Sequence, residues 1–227
     1  FSIDGNFTIA VTFILFAAIL DALDGRIARL IKGTSEFGKE LDSLTDFVSF
    51  GIAPVFVLYF WELNTYGKLG WAITLIYSVC CVLRLARFNL TKIEEKYEWK
   101  NNFFEGVPSP AGGLLILMPL IYELTNLKIG IDIKNLTPYL TVIVAILLVS
   151  KIPTLSLKKI SISPKTTVFL LLAIGIVFIA LLFYTLEALL VFGAAYLISI
   201  PVSIYIYYNL NKKNSKKISE EDHEDIL

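Results

Sequence analysis

An all-α, polytopic membrane helix bundle is the fold class that this sequence predicts, on three observations. Of 227 residues, 56% are hydrophobic and only 18% are charged, against about 25% charged in ordinary soluble domains. Mean hydropathy is +0.71. The apolar residues fall in long continuous runs, without the alternation of barrel strands. Such runs cannot all be hidden in one water-soluble core, and a helix of roughly 20 residues crosses lipid.

Seven runs qualify, at 7–30, 37–61, 69–90, 109–126, 136–150, 166–185 and 188–208. The fourth and fifth are short for a full crossing. Pro54, Pro119 and Pro201 fall inside predicted helices and are expected to bend them, since proline withholds a backbone donor. Residues 1–208 therefore form one integral membrane domain, and 209–227 a polar, loosely ordered cytoplasmic tail. His223, the single histidine, sits in that tail and reads as solvated. Cys80 and Cys81 adjoin in an apolar run, which argues against a disulfide framework.

The connections alternate in charge. Those at 31–40, 91–108, 151–165 and the tail carry thirteen lysines, and Arg26, Arg29, Arg84 and Arg87 lie near helix ends on the same side. The opposite side has only Lys68, Lys128 and Lys134. The positive-inside rule puts the first set in the cytoplasm. Lys151, Lys158, Lys159 and Lys165 fit either anionic headgroups or ordinary topology signals. Tyr205, Tyr207 and Tyr208 suit an interfacial aromatic belt. Net charge is formally zero, and no basic face is large enough to suggest nucleic acid.

Against this background four acids stand out: Asp21 and Asp24 in the first run, Asp42 and Asp46 in the second. Ionisable groups within membrane segments are costly and mark function. Spacings of three and four keep each pair on one helix face. A short connection makes the two helices antiparallel. Asp21 then lies roughly 15 Å from the turn and Asp46 roughly 13 Å, with Asp24 and Asp42 one turn nearer water. The quartet is nearly level. Four close carboxylates need protons, basic partners or metal. Oxygen donors without Cys or His favour Mg²⁺, Mn²⁺ or Ca²⁺ over zinc, and two such ions could hold a diphosphate. Ion coupling, or pairing with Arg26 and Arg29, is the competing reading. It explains less well why Gly25, Ala28 and Gly38 accompany the acids, where small residues admit a close helix or ligand.

Together these residues form the pattern Asp21-x2-Asp24-Gly25-x2-Ala28-Arg29-x8-Gly38-x3-Asp42-x3-Asp46, which resembles in full the signature of the CDP-alcohol phosphotransferases. Arg84-Leu-Ala-Arg87-Phe88-Asn89 and Gly106-Val-Pro108-Ser109-Pro110 are similar to blocks of the branch that joins CDP-diacylglycerol to serine. Those enzymes have a helix ahead of the one bearing the first acid, so the resemblance implies eight helices in a complete protein.

The resemblance implies a membrane enzyme in which the serine hydroxyl attacks the lipid-side phosphorus of CDP-diacylglycerol, giving phosphatidylserine and CMP. Asp21, Asp24 and Asp42 would be the main ligands of two divalent cations. Asp46 would share the second cation and serve as general base. Gly25, Ala28 and Gly38 would line the cytidine nucleotide site, with Arg29 orienting that region or bracing the bundle. Arg84 and Arg87 would bind a lipid phosphate or the serine carboxylate, the alternative being snorkelling at the interface. Asn89 would meet the serine amine or fix a loop; Ser109 would be a polar contact or a helix-start feature. The cell membrane with a cytoplasm-facing site and a homodimer are also implied. Sibling enzymes using glycerol 3-phosphate or an inositol phosphate, and an ion-coupled transporter, are the rival functions.

Overall fold

The computed structural model describes residues 1–30, 35–90, 103–125, 133–155 and 183–224, together with Leu172 and Gly175. α1 (Phe7–Leu30) reproduces the first predicted run. The second is a rod in three pieces: α2 (Glu36–Asp46), a π-helical turn (Phe47–Ile52) and α3 (Ala53–Trp61). α4 (Lys68–Leu90), α5 (Ser109–Leu124), α6 (Thr137–Val149) and α7 (Thr185–Glu224) follow. Most of the predicted run 166–185 lies outside the described residues, as do Lys158, Lys159 and Lys165.

Among the described residues, four helices are long and apolar enough to cross a bilayer: Phe7–Ile27, Glu36–Trp61, Lys68–Leu90 and Thr185–Asn211. The chain is a membrane protein. α5 and α6 are shorter, at 16 and 13 residues. α5 forms the centre, burying Leu115, Ile116, Leu117, Leu120 and Ile121. It packs on α3, α6 and α7, while α4 packs on α6. Phe13, Phe16, Ile76, Val79 and Ile198 point outward, as expected of a surface that meets acyl chains.

Pro54 explains the π turn. It has no N–H to offer the Phe50 carbonyl four residues earlier. That carbonyl instead accepts from Tyr77 Oη of α4 at 3.0 Å, and Ser78 Oγ reaches the Gly51 carbonyl at 3.4 Å. Gly51 lets α4 come this close, because a Cβ there would stand 3.0 Å from Cys81 Sγ. A helix defect is thus repaired by hydroxyls of its neighbour, as membrane bundles require. Both cysteines are free thiols.

Two features depart from the sequence expectation. The all-helical reading is interrupted by an antiparallel pair, β1 (Phe103–Glu105) with β2 (Pro153–Leu155), in which Phe103 faces Leu155 and Glu105 faces Pro153. The pair gives two connecting segments backbone partners they would otherwise lack. The polar tail, expected to be loose, continues α7 to Glu224. No Pro or Gly follows Pro201 before that point, and its Lys and Glu residues favour helix.

The acidic segments stand apart from the packed core. Only the first half of α1 is buried, through Ala10, Val11 and Ile14, against the π turn, α3 and α5. α2 buries no residue at all. Asp21–Leu30 and α2 are therefore two legs projecting beyond the bundle.

Gly106 closes the turn between β1 and α5. Its φ is 74°, and a Cβ there would stand 2.7 Å from the Ser150 carbonyl oxygen and 3.0 Å from that of Leu148. Gly106→Ala should therefore cost about 2–4 kcal/mol through left-handed backbone and overpacking. Thermal unfolding in detergent should show a clearly lower midpoint; an unchanged midpoint contradicts this account of the turn.

Candidate active site

α2 begins where Ser35 Oγ accepts the Gly38 N–H at 3.0 Å, an N-cap that starts the leg bearing Asp42 and Asp46. Lys39 Nζ meets Glu36 at 2.7 Å on the first turn. The second leg, α1, presents Asp21 and Asp24. Carboxylate oxygens of Asp21, Asp24 and Asp42 lie within 4.8 Å of one another. Asp46 comes into hydrogen-bonding range of the Asp21 carboxyl, with Asp42 and Arg84 within electrostatic reach. Asp24 and Asp42 are exposed, whereas Asp21 and Asp46 are half-buried.

Asp46 is the last residue before the π turn, and its Oδ1 is buried without a hydrogen-bond partner. A buried carboxylate oxygen left so is costly. The donor set, three carboxylates in one small space and a fourth with an orphaned oxygen, fits hard divalent cations. Opposite ligands on one Mg²⁺ or Ca²⁺ stand about 4–5 Å apart, close to the spread observed here. Asp21, Asp24 and Asp42 could hold one ion, and Asp46 could join a second.

The glycines of the signature have open surroundings. A Cβ at Gly25 would meet nothing within 4 Å, and one at Gly38 would meet only Ser35 Oγ, at 3.2 Å. Among the described residues, no neighbouring helix fills the space at either glycine. The space beside Gly25 is open to a ligand. Ala28 and Arg29 lie on α1, and their side chains fall outside the described residues.

Arg84 meets Ser109, whereas Arg87 meets main chain at the end of α6 and Asn89 meets Ser43. Arg84 is buried, with 9% of its surface exposed. Its Nε donates to Val107 O at 2.7 Å and its Nη1 to Ser109 Oγ at 3.0 Å. The snorkelling alternative is thereby set aside for Arg84. Arg87 Nη1 donates to Val149 O at 2.7 Å and Nη2 to Ser150 O at 3.0 Å, so its charge faces the C-terminal carbonyls of α6, where a helix end favours cations. Asn89 Nδ2 donates to Ser43 Oγ at 2.9 Å, joining α4 to the leg that carries Asp42 and Asp46 rather than fixing a loop.

Around these side chains the Gly106–Ser109 turn is held from all sides. Gly106 N–H donates to Ile152 O at 2.8 Å, Val107 N–H to Leu147 O at 3.3 Å, and Thr154 Oγ1 to Gly106 O at 2.8 Å. Sequence reasoning missed Ser43 and Thr154. Ser43 occupies an unspecified position of the signature, so no local pattern could single it out.

Comparison with known proteins completes the picture. A family model described as CDP-alcohol phosphatidyltransferase matches residues 1–148, a stretch containing all four aspartates. The chain belongs to this family. The CDP-diacylglycerol–serine O-phosphatidyltransferase of Mycobacterium leprae is 36% identical over 200 residues, covering 86% of this chain and 65% of the relative. The protein of the same name from Helicobacter pylori strain J99 is 34% identical over 213 residues, covering 91% and 86%. That of Bacillus subtilis is 39% identical over 126 residues, covering 55% and 68%.

For this CDP-alcohol phosphatidyltransferase, the Arg84 clamp makes a direct prediction. Arg84→Met keeps much of the volume but leaves the Val107 carbonyl and the Ser109 hydroxyl without their donor. The expected loss is about 2–4 kcal/mol, read as a lower unfolding midpoint in detergent. Retention of the wild-type midpoint would show that the clamp carries no stability.

Proposed function

We propose that this chain transfers the phosphatidyl group of CDP-diacylglycerol to the hydroxyl of L-serine, releasing CMP. The carrying observation is the convergence of four carboxylates from α1 and α2 in a family whose relatives above are named for that transfer. Asp21, Asp24 and Asp42 are the proposed main ligands of two divalent cations, Mg²⁺ or Mn²⁺, with Asp46 contributing to the second. When bound, the cations would neutralise the diphosphate and favour ionisation of the attacking alcohol.

The remaining roles belong to the chain itself. The serine hydroxyl oxygen bonds to the lipid-side phosphorus, the bond from that phosphorus to the CMP oxygen breaks, and Asp46 takes the hydroxyl proton. The open flank at Gly25 and Gly38 receives the cytidine nucleotide, with Ala28 and Arg29 on the same stretch. The two legs emerge from the bundle, so nucleotide and amino acid can reach the acids from water while diacylglycerol stays in lipid.

Arg84 and Arg87 spend most of their described hydrogen bonds on Val107, Ser109, Val149 and Ser150. The choice of serine over glycerol 3-phosphate or an inositol phosphate rests on the names of the relatives above. Arg84 also stands within electrostatic reach of Asp46, and in this reading it helps present the serine carboxylate.

The basic connections put the legs on the cytoplasmic side of the cell membrane. Counting the shorter α5 and α6 as crossings adds two to the four long apolar helices. A homodimer is proposed from the family likeness.

Purified protein in mixed micelles should release CMP from CDP-diacylglycerol only when L-serine and Mg²⁺ or Mn²⁺ are both present. Asp46→Asn should lower kcat by about 10²–10⁴, and chelation should abolish turnover. Release with glycerol 3-phosphate but none with serine would refute the acceptor assignment; release surviving chelation would refute the metal assignment.

A further inference from the structure

α2 carries Asp42 and Asp46 yet buries none of its own residues. The apolar core therefore does not fix its distance from α1. Apart from the contact of Asp46 with the Asp21 carboxyl, its other described side-chain hydrogen bonds are local: Gly38 to Ser35, Lys39 to Glu36, Ser43 to Lys39, and Thr45 to Leu41 and Asp42. The Asn89–Ser43 bond is different, because it ties the leg to α4 and not to the other acids.

Ser43 is committed on both sides. Its hydroxyl donates to Lys39 O at 3.1 Å and accepts from Asn89 Nδ2 at 2.9 Å. The path Asn89–Ser43–Lys39 carbonyl thus couples the α2 backbone to α4. That end of α4 is itself braced, through Arg84 on the α5 turn and Arg87 on the end of α6. The leg is tied to the most restrained part of the neighbouring helix.

The restraint has a mechanical purpose. The acids on the two legs repel one another until cations arrive, and a leg without buried contacts has little to resist displacement. A neutral amide supplies a donor without adding charge beside Asp42. The geometry points to Asn89 as a positioning residue that acts through Ser43 to hold Asp42 and Asp46 opposite Asp21 and Asp24. The inference rests on the metal-dependent reading proposed above. Preorganisation of this kind appears as metal affinity, whereas a merely structural bond would appear as stability alone.

The test uses the full chain in detergent, titrated with Mn²⁺ and followed by electron paramagnetic resonance, without lipid or nucleotide. Asn89→Ala and Ser43→Ala should each weaken apparent Mn²⁺ affinity by about 3- to 10-fold. The double variant should lose no more than either single variant. Ser43→Thr, which keeps the hydroxyl, should restore wild-type affinity. Unfolding midpoints in chelator should stay within about 3 °C of wild type. Unchanged Mn²⁺ affinity in both alanine variants, additive losses, or a larger midpoint drop that accounts for the weaker binding would overturn the positioning role. A wild-type chain that binds no Mn²⁺ would overturn the metal reading itself, and this role with it.

Discussion

Mutual repulsion among four carboxylates at the mouth of two helices is the constraint to which the rest of the site answers. Two unit charges about 4 Å apart interact by roughly 4 kcal/mol even at the effective dielectric of a protein surface. Gathering four such groups opposes folding unless a proton is shared, as between Asp21 and Asp46, or opposite charge arrives. Arg84 is within reach of Asp46, but it is already bound to Val107 and Ser109. The acids are therefore held together by scaffold while their charge awaits a partner. Such an arrangement is poorly suited to stability and well suited to binding cations.

The scaffold separates rigidity from access. α4, α5 and α6 lock together through Tyr77, the Gly106 turn and the two arginine clamps, and the π turn carries that rigidity to the base of α2. Above that base the legs bury little, which leaves the flanks of Gly25 and Gly38 open. A tightly packed leg would position the acids better but would shut out a nucleotide. The Asn89–Ser43 bond is the compromise, since it restrains α2 through one hydroxyl and leaves the flank of Gly38 with only Ser35 Oγ beside it.

The membrane class and the acidic quartet were legible in the sequence because both depend on local pattern. Long apolar runs define crossings, and spacings of three and four define a shared helix face; α1, α4 and the convergence of Asp21, Asp24, Asp42 and Asp46 all followed. Pro54 signalled a disturbance but not its form, since the π turn depends on Tyr77 of another helix. The partners of Arg84, Arg87 and Asn89 were hidden for the same reason: they lie 23 to 63 residues away in sequence. A positive charge near a helix end looks the same whether it faces headgroups, a substrate or a carbonyl. Gly25 and Gly38 suggested close approach of a helix or a ligand because glycine marks missing volume, but residue type cannot say which of the two fills it.

Anomalous diffraction from crystals grown with Mn²⁺ tests the central idea most directly. Two peaks between α1 and α2, ligated by carboxylates of Asp21, Asp24, Asp42 and Asp46, are the predicted result. Well-ordered legs with no peak among these side chains, or Mn²⁺ bound only elsewhere on the chain, would contradict it.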